Sequence, residues 1–120
     1  MLQGCWRVMS PGVTTTLAIS RALGDRVLKT PGPVSAVPFT CTQQLSPRDR
    51  FVILASDGLW DVVDDAQAVK IASQAAQHAT GSPSEAAVAS KAAAECLMQR
   101  AVELGSQDNI TVLVVMLLWE

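Results

Sequence analysis

Basic clusters are missing from this chain. It has nine Lys and Arg residues and eleven Asp and Glu residues, which give a net charge of −2. Nucleic-acid-binding proteins carry a concentrated basic surface, and proteins that bind anionic membranes carry a polybasic segment. The composition therefore predicts neither a nucleic-acid partner nor a membrane partner. Charged residues are also few, 17% against 49% hydrophobic in 120 residues, which excludes a disordered chain and suits one small domain or part of a larger one.

Cysteines are equally scarce. Cys5, Cys41 and Cys96 are far apart, odd in number and form no C-x-x-C pair. This pattern argues against both a disulfide framework and a structural zinc site. Reduced thiols are the simpler interpretation, and they predict an intracellular location, in the cytoplasm or nucleus.

Long hydrophobic runs do not occur either. The longest, Val112–Trp119, is far shorter than the roughly 20 apolar residues that a membrane-spanning helix needs. The first residues contain no apolar core of the length found in a signal peptide, so no secretory leader is expected.

Several catalytic signatures are absent. His78 is the single histidine and lies in a polar stretch for which we predict an exposed helix surface. Without another histidine or a nucleophile-elbow motif, the sequence does not favour Ser-His-Asp or Cys-His chemistry. Neither G-x-x-x-x-G-K-[ST] nor G-x-G-x-x-G occurs. Trp6, Trp60 and Trp119 have no basic cluster around them, so we expect core or subunit-contact roles for them rather than base stacking.

The secondary structure predicted from the sequence begins with strands. Turn-forming residues separate three β-prone segments, Thr14–Ile19, Ser35–Gln43 and Arg50–Ala55, and a fourth covers Ile110–Leu118. The continuous apolar run Phe51–Ala55 predicts a strand covered on both faces. The last strand has no hairpin partner of its own and must pair with an earlier segment, either within these 120 residues or outside them.

Two helices are predicted between these strands. Asp64 and Gln67 resemble a capping box, and Gly81 is expected to end the helix that follows. Ser82, followed by proline and glutamate, is expected to start a longer helix that reaches about Leu104 and ends at Gly105. The predicted buried stripe of this second helix is Ala89, Ala93, Leu97, Ala101 and Leu104; that of the first is Ala68, Ile71, Ala72, Ala75 and Ala79. Strands followed by helices predict an α+β fold.

Acidic residues in turns are the candidates for chemistry. Asp57 follows the apolar run and precedes Gly58, which we expect to turn the chain sharply away; Asp108 lies just before the last strand. A rigid strand end fixes the direction of a carboxylate, and hard oxygen ligands suit Mg²⁺ or Mn²⁺. The alternative is structural, because Asp-Gly and Asp-Asn are common turn dipeptides. Solvated or helix-capping roles explain Asp61, Asp64 and Asp65 better.

Five motifs in order resemble those of the type-2C (PPM) family of metal-dependent serine/threonine protein phosphatases, and they extend over nearly the whole chain. They are W-R-V at 6–8, L-A-I-S-R-A-L-G-D at 17–25, V-S-A-V-P at 34–38, D-R-F-V-I-L-A-S-D-G-L-W-D-V at 49–62 and S-Q-D-N-I-T-V at 106–112. The resemblance implies that residues 1–120 are the C-terminal part of a PPM-type domain. In that family, two antiparallel sheets form a β-sandwich flanked by helices.

The same resemblance implies a site with two Mn²⁺ or Mg²⁺ ions at one end of the sandwich. Asp57 and Asp108 match metal-binding positions of the family motifs. Arg21 and Asp25 match positions that support the fold or the site, and Asn109 is expected to orient Asp108 or its turn. The implied reaction is hydrolysis of phosphoserine and phosphothreonine proteins by a water held between the metal ions, without a covalent intermediate.

Departures from the family pattern limit this prediction. The D-G-H-G-G motif, an upstream glutamate and a phosphate-binding arginine of the family are not found in the 120 residues. The segment Met9–Thr16 is longer than the family usually has there, and Phe39 stands where an acidic residue often occurs. With only two metal positions matched, we expect little or no activity from this chain alone. The alternative is a non-catalytic regulatory or binding module derived from a phosphatase domain.

Overall fold

The computed structural model describes residues 7–29, 32–77 and 82–119, which belong to two compact units, residues 1–43 and residues 44–120. The described residues of the first unit include a short 3₁₀-helix, Arg26–Leu28. Those of the second form strand β1 (Phe51–Ala55), helices α1 (Asp57–Trp60), α2 (Asp65–Ala75) and α3 (Pro83–Glu103), and strand β2 (Val112–Met116). This combination confirms the predicted α+β class.

Two of the predicted strands are wrong. Thr14–Ile19 and Ser35–Gln43 form no strand, although both are rich in β-prone residues. A strand needs a neighbour over several consecutive residues, and these segments find one at single positions only. The described part of this unit has two isolated bridges, antiparallel between Val8 and Leu17 and parallel between Arg21 and Ser35.

The sheet of the second unit is an antiparallel pair. β1 and β2 pair in a register that runs from Phe51 opposite Met116 to Ala55 opposite Val112. The last strand thus pairs with an earlier segment, as predicted. Side chains of one face pack against the helices, and Val114 of that face is buried.

The other face of the sheet is exposed, so the prediction that β1 is covered on both faces is wrong for the described structure. Leu54 keeps 53% of its surface accessible and its cross-strand partner Leu113 keeps 55%. Val52 and Val115, the next pair on this face, are exposed too. The described helices pack on one side only, and this explains the difference.

α2 begins as its sequence predicts. The Asp64 carboxylate accepts a hydrogen bond of 2.8 Å from the Gln67 N–H, which confirms the cap. Ala68 and Ala72 of the predicted stripe are fully buried, and Ile71 and Ala75 are partly buried. α2 ends at Ala75, with Ala76 as its C-terminal cap, so the prediction that this helix continues to Gly81 is wrong. His78, Ala79 and Gly81 themselves lie outside the described residues.

α3 also follows its sequence signals closely. The Ser82 hydroxyl accepts a hydrogen bond from the Glu85 N–H at 3.3 Å, proline occupies the first turn, and Gly105 has the left-handed φ of 84° typical of a helix end. Burial of Ala89, Ala93, Leu97 and Ala101 confirms most of the predicted stripe. Leu104 was predicted to be buried and is 40% exposed, because the helix has ended at Glu103. None of the described helices is long and apolar enough to cross a membrane.

Small side chains let α3 approach the rest of the core closely. Ala93 and Ala101 are fully buried, and they share one hydrophobic cluster with Leu59 of α1, Val114 of β2 and Leu97 of α3 itself. Alanine combines high helix propensity with a small volume, so it allows close packing without destabilising the helix. The cluster holds α3 against the inner face of the β1–β2 pair.

A second close approach joins α1 to the turn before β2. Gly58 is buried, and a Cβ atom added to it would lie 2.4 Å from the Asn109 carbonyl oxygen. The sequence predicts a sharp turn at Gly58, but this residue lies within α1. Glycine is required there because the Asn109 backbone leaves no room for a side chain.

We expect Ala93→Leu to lower the free energy of unfolding by about 1–3 kcal/mol, because added volume in a filled core forces neighbours to shift. Ala87→Leu, at an exposed position of the same helix, is the matched control and should change stability little. Urea denaturation followed by circular dichroism measures both. Equal unfolding midpoints for the two variants would contradict the packing described for α3.

Gly58→Ala should likewise lower the free energy of unfolding by about 1–3 kcal/mol, because the new methyl group collides with backbone atoms that cannot rotate away. Gly105→Asn is the comparison: a Cβ there meets nothing within 4 Å, and asparagine tolerates a left-handed φ. The same denaturation assay applies. Gly58→Ala with native stability would show that the two turns separate easily.

Candidate functional site

Asp57 and Asp108 lie in two turns at one end of the β1–β2 pair. The strands are antiparallel with Ala55 opposite Val112, so the end of β1 is next to the start of β2. Asp57 is the first residue of α1, just after β1, and Asp108 lies in the turn between α3 and β2. The topology therefore brings together two acidic turns that are far apart in the sequence.

Ser56 joins these turns at the end of the sheet. Its N–H donates to the Thr111 carbonyl at 3.0 Å, which extends the strand pairing beyond Ala55. Its hydroxyl donates to the Asn109 carbonyl at 3.0 Å and accepts from the Thr111 N–H at 3.0 Å. One serine thus makes three hydrogen bonds to the segment that follows Asp108.

Ser106 makes the opposite connection. Its hydroxyl donates to the Gly58 carbonyl at 2.6 Å, from a partly buried position. Ser106 precedes Asp108 by two residues, and Gly58 directly follows Asp57. Motif reasoning concentrated on the carboxylates and missed both serines, although S-D-G and S-Q-D-N place each one beside an aspartate.

Both carboxylates are exposed to solvent. The Asp108 carboxylate accepts a hydrogen bond of 2.7 Å from the Asn109 N–H, so Asn109 orients Asp108 through its backbone. The ion pairs of the described residues, Lys91–Glu95 and Arg100–Glu103, lie on α3. Neither aspartate is therefore neutralised by a basic side chain of the described part of the chain.

An open cleft of about 500 Å³ adjoins Asp108. Asp61 lines the same cleft, together with Gly58 and Ser106. Asp61 is exposed at the C-terminal end of α1, in agreement with the predicted solvated role. The cleft gives solvent access to the Asp108 side of the joined turns.

The two aspartates supply the kind of ligand that a hard divalent cation prefers, but they do not supply enough ligands to complete its coordination. Mg²⁺ and Mn²⁺ prefer carboxylate oxygens, and neither group is ion-paired with a basic side chain that the structure describes. Mg²⁺ demands an octahedral set of oxygens. Within residues 7–29, 32–77 and 82–119, no group of three or more His, Cys, Asp or Glu residues is placed to hold a metal ion. Asp57 and Asp108 are thus suited to supply part of a ligand set.

Arg21 and Asp25 belong to the first unit. The Arg21 guanidinium donates to the Val37 carbonyl at 2.6 Å and connects two of the sequence motifs. Asp25 has a left-handed φ of 47° and precedes the 3₁₀-helix without capping it through its side chain. Arg21 therefore supports the fold of this unit, as the motif match implied.

The tryptophans and cysteines that the structure describes have structural roles or surface positions. Trp60 and Trp119 are partly exposed, and their indole N–H groups donate to the Ala55 and Asp49 carbonyls at 3.0 and 2.9 Å. Cys41 and Cys96 are exposed free thiols. Trp6 and Cys5 lie outside the described residues.

Comparison with known proteins supplies the context for this site. The family model for protein phosphatase 2C matches residues 3–110. Protein phosphatase 2C homolog 1 of Saccharomyces cerevisiae is 37% identical over 110 residues, which are 92% of this chain and 34% of that protein. Probable protein phosphatase 2C 59 of Arabidopsis thaliana is 43% identical over 115 residues, 96% of this chain and 31% of that protein.

A solved structure is also similar to this chain. The serine-threonine phosphatase 2C of Toxoplasma gondii superposes on it with a TM-score of 0.61 and 38% sequence identity. The superposed region covers 85% of this chain and 30% of the Toxoplasma chain. The chain thus spans about a third of the length of these relatives. The match of the family model over most of the chain shows that it belongs to the protein phosphatase 2C family.

Proposed function

We propose that residues 1–120 are the C-terminal part of a metal-dependent protein serine/threonine phosphatase domain, in which Asp57 and Asp108 are metal ligands. The observation that carries this proposal is the hydrogen-bonded junction of two acidic turns in a chain of the protein phosphatase 2C family. A carboxylate at each turn, with no ion pair to a basic side chain of the described residues, leaves both groups available to a cation.

The proposed reaction is hydrolysis of phosphoserine and phosphothreonine in protein substrates. Two Mn²⁺ or Mg²⁺ ions, when bound, supply a water nucleophile at neutral pH and offset charge on the phosphoryl oxygens. Asp57 and Asp108 contribute negative oxygen ligands, and the exposed position of both turns leaves room for a phosphorylated side chain. We propose an intracellular setting, in the cytoplasm or nucleus, since the described cysteines are free thiols.

We further propose that this chain alone has little or no activity. Two carboxylates hold only a fraction of the ligands of a two-metal site, and the described residues contain no larger cluster. The same observation favours a second candidate function, a non-catalytic regulatory or binding module derived from a phosphatase domain. The two candidates differ in whether Asp57 and Asp108 bind metal.

Metal binding separates these candidates. Asp57→Asn and Asp108→Asn should each weaken Mn²⁺ binding about tenfold or more, because each removes an anionic oxygen ligand. Asp65→Asn, an exposed aspartate in the first turn of α2, is the matched control and should bind like the native chain. Free Mn²⁺ can be followed by electron paramagnetic resonance. Equal binding by all four proteins would favour the module.

Hydrolysis of a phosphothreonine peptide tests the claim of low activity. The native chain with millimolar Mn²⁺ should release phosphate no faster than Mn²⁺ in buffer, because the ligand set is incomplete. Asp57→Asn is assayed beside it. Activity that requires Mn²⁺ and disappears in Asp57→Asn would show a working site and would contradict the account of missing ligands.

A further inference from the structure

We infer that Ser56 and Ser106 are positioning residues that set the separation of Asp57 and Asp108 for a shared divalent cation. This inference rests on the proposed function, because it assigns a purpose to the spacing of two proposed ligands. The spacing of these ligands depends on the hydroxyl groups of the two serines. Neither serine is proposed to touch the metal ion or the substrate.

The connections between the turns are reciprocal. The residue before Asp57 bonds through its hydroxyl to the residue after Asp108, Asn109, at 3.0 Å. The residue after Asp57, Gly58, receives the Ser106 hydroxyl at 2.6 Å from the other side of Asp108. Hydrogen bonds between the two turns are therefore made on both sides of each aspartate along the chain. Together these bonds hold the turns in a fixed position relative to each other.

The hydroxyl of Ser106 replaces a missing helical bond. Within a regular helix, the Gly58 carbonyl would accept from the Val62 N–H, but that N–H donates to the Leu59 carbonyl at 3.1 Å. The short helix α1 thus presents its Gly58 carbonyl to Ser106. Because the donor is a side chain of the second turn, this bond orients α1, and with it Asp57, relative to Asp108.

Ser56 performs the matching task at the sheet. Its hydroxyl donates a hydrogen bond to the Asn109 carbonyl and accepts one from the Thr111 N–H. These two bonds together fix the orientation of the Ser56 side chain. The adjoining backbone bond from the Ser56 N–H to the Thr111 carbonyl prevents the turn from sliding along the strand. The distance between the exposed carboxylates therefore depends on backbone held by two hydroxyls, since neither carboxylate has a basic partner among the described residues.

An ordinary structural role would stabilise the fold without affecting metal affinity, so the test measures both. We would titrate Mn²⁺ into the native chain, Ser106→Ala, Ser106→Thr, Ser56→Ala and Asp57→Asn, and follow unfolding of each with urea. Ser90→Ala is the matched control, because the Ser90 hydroxyl also donates to a backbone carbonyl, that of Ala87 at 3.0 Å, but on α3.

We expect Ser106→Ala and Ser56→Ala to weaken Mn²⁺ binding about tenfold while remaining folded, as outer-shell substitutions at metal sites do. Ser106→Thr keeps the hydroxyl and should recover most of the affinity. Ser90→Ala should bind Mn²⁺ like the native chain, whatever its stability.

Native affinity in both Ser→Ala variants, together with weak binding by Asp57→Asn, would overturn this inference and leave the proposed ligands standing. Equal loss in Ser106→Ala and Ser106→Thr would also overturn it, because the hydroxyl would then be irrelevant. Native affinity in Asp57→Asn, or no Mn²⁺ binding by the native chain, would overturn the proposed ligands and this inference together.

Discussion

The antiparallel pairing of β1 with β2 is the interaction on which the second unit depends. It joins segments that helices α1, α2 and α3 separate in the sequence, and its register places Ala55 opposite Val112. A slip by one residue would turn Val114 from the buried face to the exposed face and would remove the Ser56–Thr111 bonds. Packing and the candidate site therefore require the same register.

The helices maintain that register by covering one face. Alanines of α3 bring its backbone close to the inner face, where Leu97, Leu59 and Val114 share one cluster. Interdigitated apolar side chains resist sliding because any shift opens voids or creates clashes. The rigid layer beneath the sheet thus also fixes where the turn after α3 begins, and Asp108 lies in that turn.

A site at a sheet end gains precision from this arrangement. Asp57 and Asp108 are exposed, so contacts of their side chains with solvent do not fix the distance between the two carboxylates. The steric contact at Gly58 sets how closely the turns approach, while Ser56 and Ser106 connect them by hydrogen bonds. The side chains that would meet a metal ion therefore stand on a backbone held from both sides, which is what a preorganised site requires.

Local signals predicted the helices well. Asp64 and Ser82 cap the helices that they precede, and the alanine stripe of α3 is buried, because caps and helical periodicity act within a few residues. The strands were harder to predict. Thr14–Ile19 has the composition of a strand and makes a single bridge, since composition cannot supply a neighbour.

The sequence by itself determined the family and the two candidate aspartates, because motif residues keep their order and spacing whatever surrounds them. Only the tertiary structure decided which turns meet, why Gly58 has no side chain and which hydroxyls join Asp57 to Asp108. These features depend on contacts between residues distant in the sequence, and such contacts exist only after β1 and β2 have paired over the helical layer.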